Sequence, residues 1–388
     1  MSTIISNPRR WTIFGLALAV LLPAGISYAI AETAEDVPES PALDGVLFDQ
    51  RRTVVNWDLD EWLPPEGDSE DRLAIPSLTQ PFYNGSLDVH ASTSAFETKL
   101  IFSTNGNWHF ALRRLLDEVY FPANPSVEKS YLVTTSPPIS IAQMRTGRVK
   151  VGNILFEDAQ PHVIVAPGGF LDDLESQNLI TGPRFPIIRT YGNVILKRRG
   201  DRRFRSFWDL RRVRPGRFAS SDPAEGGSFN NYRNSVLNIA LNNPRRPGLS
   251  DNQIEADAVA LQERLFDQAG VATIGPPMHR SLPHMIGTGQ ADAGLFFLHL
   301  AVTAMRENPG VFTAVYLAND RVDETDDPDV LALGQDPLVG NQVGNFSAVR
   351  TITPLNGDQE AAQDRFIDAL QSSGFTDILV EVGLRRPE

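Results

Sequence analysis

The stretch GTGQADAGLFFLHLA at residues 287–301 carries the strongest fold signal in this chain. Gly287 and Gly289 indicate the end of a helix, because glycine readily adopts the left-handed conformation that follows a helix C-terminus. The apolar run at residues 291–297 has the length of a buried strand, and a new helix is expected to begin near Leu298. A helix, a buried strand and a second helix in this order predict a parallel sheet covered by helices.

The preceding half of the chain shows the same alternation. LDVHAS at residues 87–92, KLIFST at 99–104 and HVIVAP at 162–167 have the composition of strands. Residues 107–119 predict an amphipathic helix, because their leucines recur at helical spacing on one face. Strands that alternate with helices along the whole chain predict an α/β fold.

Two apolar segments are interpreted as crossings between two lobes. NVILKR at residues 193–198 is predicted to enter a second lobe, and VFTAVYL at 311–317 to return to the first. On this interpretation residues 86–187 and 311–388 form lobe 1, and residues 188–310 form lobe 2. The predicted fold class is therefore α/β, with two lobes hinged by two crossing strands.

The N-terminus indicates export. Two arginines precede an apolar run at residues 11–30, and the Ala-Ile-Ala sequence that ends at Ala31 fits the small-residue rule for signal-peptide cleavage. Residues 1–31 are therefore predicted to be a signal peptide of a periplasmic protein, and a retained membrane anchor is the alternative. Residues 32–85 are rich in Pro, Asp and Glu and predict an irregular acidic extension.

Composition and motifs exclude several functional classes. A formal net charge of -13 over 388 residues argues against nucleic acid as a partner, because phosphate backbones require a surplus of Lys and Arg. The absence of cysteine excludes disulfides, thiolate metal sites and a thiol nucleophile. His279 and His284 are five residues apart, which places them on different faces of a helix rather than on one metal ion. The sequence contains no His-Glu-x-x-His and no Gly-x-Ser-x-Gly, so we expect no catalytic residue, no metal and no cofactor, and we predict that the protein is not an enzyme.

Four polar segments lie at positions where a strand is expected to end and a helix to begin. They are STNGN at 103–107, TTSPP at 134–138, SSDPAEGGS at 220–228 and MHRS at 278–281. Each segment taken alone is explained by ordinary helix capping. In a doubly wound sheet, however, ligands lie beyond the carboxyl ends of the strands and against helix N-termini. Segments of this kind that face one cleft would form an uncharged set of N–H and O–H donors, which suits a small tetrahedral oxyanion.

The order of several segments resembles the extracellular solute-binding proteins of ABC transporters, and most closely the branch that contains molybdate- and tungstate-binding proteins. The segments that carry the resemblance are TTSPPISIAQMRTGRVKVGNI at 134–154, PHVIVAPGGFLDDLESQNLI at 161–180, RTYGNVILKRRG at 189–200, GRFASSDPAEGGSFNNY at 216–232, GTGQADAGLFF at 287–297 and FIDALQSSGFTDILVEVGL at 366–384. The resemblance implies the type II periplasmic-binding-protein fold, whose two lobes enclose the ligand. It also implies an ABC transporter permease in the inner membrane as partner.

The resemblance further implies a set of ligand-binding residues. Asn107 stands where the family places its first binding serine, and Thr135 or Ser136 matches the second. Phe297 falls where a molybdate-binding protein has a tyrosine. The remaining two positions are helix starts in lobe 2, at Ser228 and His279. Because a serine and a tyrosine hydroxyl are replaced here, the donor set differs from that of the molybdate binders.

The predicted function is capture of a small ligand, an oxyanion such as molybdate or tungstate, for import through the permease. The alternative is a non-transport sensor or partner-binding module built on the same fold. A secreted hydrolase is a third hypothesis, which requires a catalytic constellation.

Overall fold

Two sheets, each covered by helices, form the part of the chain that the computed structural model describes. The described residues are 72–74, 87–92, 100–104, 106–125, 131–134, 140–147, 149–151, 154–156, 160–214, 216–221, 223, 227–266, 272–274, 278–318 and 324–388. The predicted signal peptide at 1–31 lies outside these residues, as do Thr135 and Ser136.

Seven of the described strands form the first sheet: β1 (Arg72–Ala74), β2 (Leu87–Ser92), β3 (Leu100–Thr104), β4 (Tyr131–Thr134), β7 (Val163–Pro167), β8 (Ile180–Arg189) and β15 (Asn345–Thr351). Their order in the sheet is β1-β2-β4-β3-β7-β15-β8. Strands β4, β3, β7 and β8 run parallel, and β15 is inserted antiparallel between β7 and β8. A separate hairpin pairs β5 (Val149–Val151) with β6 (Ile154–Phe156).

Six described strands form the second sheet: β9 (Asn193–Arg198), β10 (Phe218–Ser221), β11 (Ala272–Ile274), β12 (Ala293–Phe297), β13 (Phe312–Tyr316) and β14 (Glu324–Thr325). Their order in the sheet is β11-β10-β12-β9-β13-β14. Strands β11, β10, β12 and β13 run parallel, and β9 is inserted antiparallel between β12 and β13.

Helices cover both sheets. They are α1 (His109–Arg114), α2 (Phe121–Ala123), α3 (Ile141–Thr146), α4 (Gly168–Ser176), α5 (Gly227–Asn242), α6 (Asp251–Phe266), α7 (Met278–Gly287), α8 (Leu298–Glu307), α9 (Pro328–Ala332), α10 (Gly357–Gln371) and α11 (Ser373–Glu381). A π-helical turn joins α1 to α2, and short 3-10 segments lie at Gly106–Trp108 and Phe207–Arg212. Each sheet has its own apolar core: one extends from Leu100 to Leu384 along the chain, and the other from Val194 to Ala332.

Five strands of each sheet follow the same order, β4-β3-β7-β15-β8 in the first and β11-β10-β12-β9-β13 in the second. In this order the first strand after each crossing is the inserted antiparallel one. Strand β9 follows β8 after residues 190–192, and β15 is the first strand after the chain returns. The predicted α/β fold class, with two lobes joined by two crossing segments, is confirmed.

The two crossing segments lie side by side. The backbone N–H of Thr190 donates to the carbonyl oxygen of Gly344 at 2.9 Å. The side chain of Asn341 accepts from the backbone N–H of Asn193 and donates to its carbonyl oxygen, at 2.9 Å in each case. These hydrogen bonds join the outgoing and returning chains directly. A hinge motion of one lobe relative to the other would therefore be centred on these two crossing segments.

Two expectations about the lobes differ from the structure. VFTAVYL at 311–317 is not the return crossing, because β13 pairs antiparallel with β9 inside the second sheet, from Phe312 opposite Arg198 to Tyr316 opposite Val194. The return to the first sheet therefore comes after Thr325 rather than at residue 311. The extension predicted to be irregular over residues 32–85 contributes β1, which supplies backbone partners to the outer edge of β2. The lobe boundaries otherwise stay predictions.

His162 makes the stability of the first lobe dependent on pH. The side chain is 2% exposed, and its Nδ1 accepts from the backbone N–H of Ile101 at 3.3 Å. Burial lowers its pKa to about 4, from 6.5 in an accessible histidine. The neutral ring is therefore the form that the folded state requires.

We expect the free energy of unfolding to fall as the pH drops below 6.5 towards 4, because the unfolded chain takes up a proton that the folded chain excludes. The loss between about pH 7 and about pH 5 should be about 2 kcal/mol. His162→Asn keeps an acceptor for Ile101 and should flatten this pH dependence. Urea unfolding at a series of pH values measures the free energy of unfolding. Burial also lowers the pKa of His284, but this residue is present in both the wild-type protein and the variant. Identical pH profiles for the two proteins would contradict this account.

Candidate functional site

The candidate site lies where parallel strands of both sheets end. Strand β3 ends at Thr104 in the first sheet, and β10 and β12 end at Ser221 and Phe297 in the second. Ala219 of β10 pairs in register with Gly294 of β12, which brings the ends of these two strands to the same edge. Ligands of doubly wound sheets bind at this edge, because helix N-termini and loops converge there.

Aromatic rings from both lobes meet at this edge. His299, in the first turn of α8, donates from Nε2 to the carbonyl oxygen of Asn107 at 3.1 Å. The ring of Trp108 stacks on the ring of His299 with centroids 4.9 Å apart, and Phe297 stacks on His299 at 5.7 Å. Trp108 also meets Phe346 of β15 edge-on at 4.3 Å. The lobes therefore contact each other through a stack that begins in lobe 1 and ends in lobe 2.

Buried polar atoms without partners occur on residues at this edge of the two sheets. Within the part of the chain that the structure describes, six buried side-chain atoms of this region lack a hydrogen-bond partner. They are Thr104 Oγ1, Asn107 Oδ1, Trp108 Nε1, Asn193 Oδ1, Ser220 Oγ and Ser221 Oγ. A buried polar atom with no partner costs about 1–3 kcal/mol, so native proteins rarely tolerate several in one place without a functional reason.

Asn193 is held rigidly at the same edge. It opposes Phe297 in the antiparallel pair of β9 and β12. Its Nδ2 donates to Asn231 Oδ1 and to Ser235 Oγ, both on α5 and both at 2.8 Å. Both amide hydrogens are thus used by α5, which leaves the carbonyl oxygen of the side chain for another group.

The residues that carry the six atoms and the aromatic stack contribute dipoles rather than formal charges. No Asp, Glu, Lys or Arg occurs among the residues that carry the six atoms or the aromatic stack. Hydroxyls and an indole N–H supply hydrogen-bond donors, and α5, sixteen residues long, begins beside the site at Gly227. The arrangement suits a small solute rich in hydrogen-bond acceptors.

The structure brings together part of the predicted ligand-binding set. Asn107 and Phe297, from different lobes, both contact His299. Ser228 is buried in the first turn of α5, one turn before Asn231 and so on the same helix face. His279 is the second residue of α7, and its side chain lies outside what the structure describes, as do Thr135 and Ser136 entirely. The roles of all six residues stay predictions.

Sequence reasoning missed three residues of this region: Trp108, Asn193 and His299. Trp108 and His299 occur at the starts of helices, where core packing explains them equally well. The sequence pattern marks Asn193 only as the first residue of a crossing strand. Ser220 and Ser221 open one of the four polar segments, but the residue predicted to bind ligand there is Ser228.

No group of three or more His, Asp or Glu side chains among the described residues could hold a metal ion. None of the helices in the described ranges combines the length and the apolar composition needed to cross a membrane.

Comparison with family models gives no match for this chain, and comparison with curated proteins gives none. Solved structures with a similar course of the backbone include the periplasmic molybdate-binding protein of Azotobacter vinelandii, with 15% identity, a TM-score of 0.43 and coverage of 74% of this chain and 100% of that one. Iron-bound HitA from Pseudomonas aeruginosa has 14% identity and a TM-score of 0.46, over 72% of this chain and 83% of its own. The sulfate-binding protein SubI from Mycobacterium tuberculosis has 14% identity and a TM-score of 0.43, over 74% and 86%. Molybdate and sulfate are oxyanions whereas iron is a metal, and none of the three proteins identifies the ligand of this chain.

Proposed function

We propose that this protein is a periplasmic solute-binding protein that captures a small ligand between its two lobes for import by an ABC transporter. The observation that carries the proposal is the set of six unpartnered polar atoms, contributed by both lobes at the carboxyl edges of their sheets. A ligand that accepts and donates hydrogen bonds there would supply the partners that these buried atoms otherwise lack.

The chemistry of the site favours an oxyanion such as molybdate or tungstate. Thr104, Ser220 and Ser221 offer hydroxyl donors, and Trp108 offers an indole N–H that can only donate. A tetrahedral anion presents acceptors in all directions and can be held by uncharged donors and by the positive end of a helix dipole. Ser228 in the first turn of α5 supports this arrangement, because the free backbone N–H groups of a helix lie in its first turn.

Ligand binding would favour the closed arrangement of the two lobes over the open one. A ligand that contacts Thr104 in lobe 1 and Ser221 in lobe 2 binds the closed arrangement better than an open one and so shifts the population towards closure. In this proposal the permease in the inner membrane recognises the closed form, and the hydrogen-bonded crossing segments form the hinge.

A thermal-shift titration with molybdate, tungstate, sulfate and phosphate tests the proposal, with chloride at matched ionic strength as control. The unfolding temperature should rise with the concentration of at least one oxyanion, because a ligand that binds only the native state stabilises it by mass action. Trp108→Phe should keep the stack on His299 while removing one donor, and the affinity should fall about tenfold. If none of the four oxyanions raises the unfolding temperature above the chloride control, the oxyanion assignment is wrong.

A further inference from the structure

An arginine-rich surface lies on lobe 2, in a chain whose net charge is -13. Residues 198–217 contain nine arginines, two aspartates and no lysine. We call this set the arginine surface; its members are Arg198, Arg199, Arg202, Arg203, Arg205, Arg211, Arg212, Arg214 and Arg217.

The arginine surface lies at the opposite end of the second sheet from the candidate ligand site. Strand β9 begins beside the site at Asn193 and ends at Arg198. Strand β10 runs the other way, from Phe218, directly after Arg217, to Ser221 at the site. The arginines are therefore not part of the ligand cleft, and their charge needs another explanation.

A buried carboxylate organises the centre of the arginine surface. The side chain of Asp292 has no exposed area, and Arg214 binds it in a two-pronged manner, from Nε to Oδ2 at 2.9 Å and from Nη2 to Oδ1 at 2.7 Å. Arg203 and Arg217 reach the same carboxylate at 3.2 and 3.3 Å. Burial opposes ionisation of Asp292, but the hydrogen bonds from Arg214 and Arg203 outweigh it and hold the pKa of this carboxyl well below its usual range.

Asp292 orients these three guanidinium groups without covering them. The side chains of Arg214, Arg203 and Arg217 remain 61%, 40% and 30% exposed. One negative charge cannot neutralise three positive ones, although Asp201 also pairs with Arg203. The centre of the surface is therefore fixed in position and still positively charged.

Further arginines extend the surface beyond this centre. Arg202 and Arg205 are exposed, and neither side chain forms an ion pair with another described residue. Arg212 is 66% exposed and contacts Asp209 at 3.1 Å. In the described part of this segment no large hydrophobic side chain is exposed, so the surface offers charge without an apolar anchor.

We propose that the arginine surface docks a carboxylate-rich segment of a partner protein. The guanidinium fork matches the two oxygens of a carboxylate, and Arg214 on Asp292 shows that geometry within the surface itself. An anionic membrane is the less suitable occupant, because the described residues of the surface expose no large apolar side chain that could enter it and the molecule as a whole is acidic. A short acidic segment contacts the arginines alone and avoids the rest of the negative surface.

Fluorescence anisotropy of a labelled poly-glutamate peptide with the full chain tests this proposal. The triple variant Arg202→Gln/Arg205→Gln/Arg212→Gln leaves the contacts of Asp292 intact. It should weaken the peptide about tenfold, because three exposed ion pairs of modest strength are lost together. The matched control Arg184→Gln/Arg306→Gln/Arg350→Gln removes the same charge from outside the surface and should leave the affinity within about twofold. Added salt should weaken binding to the wild-type protein.

Three results would overturn the proposal. The first is that the peptide does not bind. The second is that both triple variants lower the peptide's affinity equally, which would mean that net charge alone determines binding. The third is that vesicles containing phosphatidylglycerol bind the protein while the peptide does not, which would assign the surface to a membrane. None of these measurements involves the ligand cleft, so they are independent of the proposed transport function.

Discussion

The double variant Thr104→Val/Ser221→Ala is expected to unfold at a higher temperature than the wild-type protein while losing its affinity for oxyanions. Both hydroxyls are buried at strand ends, one in each lobe, and neither has a hydrogen-bond partner in the described structure. Removing a buried hydroxyl that makes no bond removes its desolvation penalty, which should stabilise the free protein by about 1 kcal/mol for each residue.

The effect on binding has the opposite sign. A hydrogen bond to a charged group contributes about 1.5–3 kcal/mol, so losing two should weaken an oxyanion at least about a hundredfold. Calorimetric titration with molybdate and tungstate measures the affinity, and thermal unfolding without ligand measures the stability. Stability and binding are thus predicted to change in opposite directions, which a purely structural role for these hydroxyls does not produce.

Thr351→Val provides the matched control. Thr351 is a buried residue of β15, and its Oγ1 donates to the carbonyl oxygen of Pro161 at 2.6 Å. Its replacement leaves that carbonyl without this donor and should destabilise the protein by about 1–2 kcal/mol, with oxyanion affinity unchanged. If the double variant behaves like Thr351→Val, losing stability and keeping affinity, Thr104 and Ser221 are structural residues and not ligand contacts.

Gly340→Ala is expected to destabilise the fold by about 3 kcal/mol or more. Gly340 precedes the hinge residue Asn341 and has a φ of +99°. A Cβ atom there would lie 2.3 Å from the carbonyl carbon of Asn238 and 2.6 Å from the backbone nitrogen of Ile239, both in the middle of α5. Neither the helix backbone nor the crossing chain can move aside without losing its own contacts. The conformational strain at a positive φ and the steric overlap with α5 therefore both contribute to the destabilisation.

Gly248→Ala separates these two contributions. Gly248 also has a positive φ, of +78°, but a Cβ atom there meets no heavy atom within 4 Å. Its replacement should cost only the conformational strain, about 1 kcal/mol. Chemical denaturation of both variants gives the difference, and equal destabilisation would mean that the close approach of the crossing chain to α5 contributes nothing.

Local patterns in the sequence predicted the elements well. The stretch at 287–301 predicted a helix end, a buried strand and a new helix, and the structure has α7 ending at Gly287, β12 at Ala293–Phe297 and α8 beginning at Leu298. All three features are confirmed. They could be predicted because a glycine at a helix end and a short apolar run determine local structure through residues that are neighbours in the sequence. The helix predicted at 107–119 is present as a succession of 3-10, α and π turns, a distinction that apolar periodicity does not reveal.

Pairing between distant segments could not be predicted in the same way. An apolar strand such as β13 has the same pattern in either sheet, and only its pairing with β9 places it in the second one. His299 contacts Asn107 across 192 residues of sequence, and no local pattern marks a histidine that will lie between two lobes. The lack of hydrogen-bond partners at the six polar atoms likewise depends on tertiary structure. In the sequence Thr104 and Ser221 are ordinary strand residues, and only the fold leaves their hydroxyls without partners.

Crystals of the full chain grown with tungstate, examined for anomalous scattering from tungsten, test the central claim most directly. The account predicts one strong anomalous peak between the lobes, within hydrogen-bonding distance of Thr104 or Trp108 on one side and of Ser221 on the other. A peak elsewhere on the molecule, or density at this edge filled only by side chains of the protein, would contradict it.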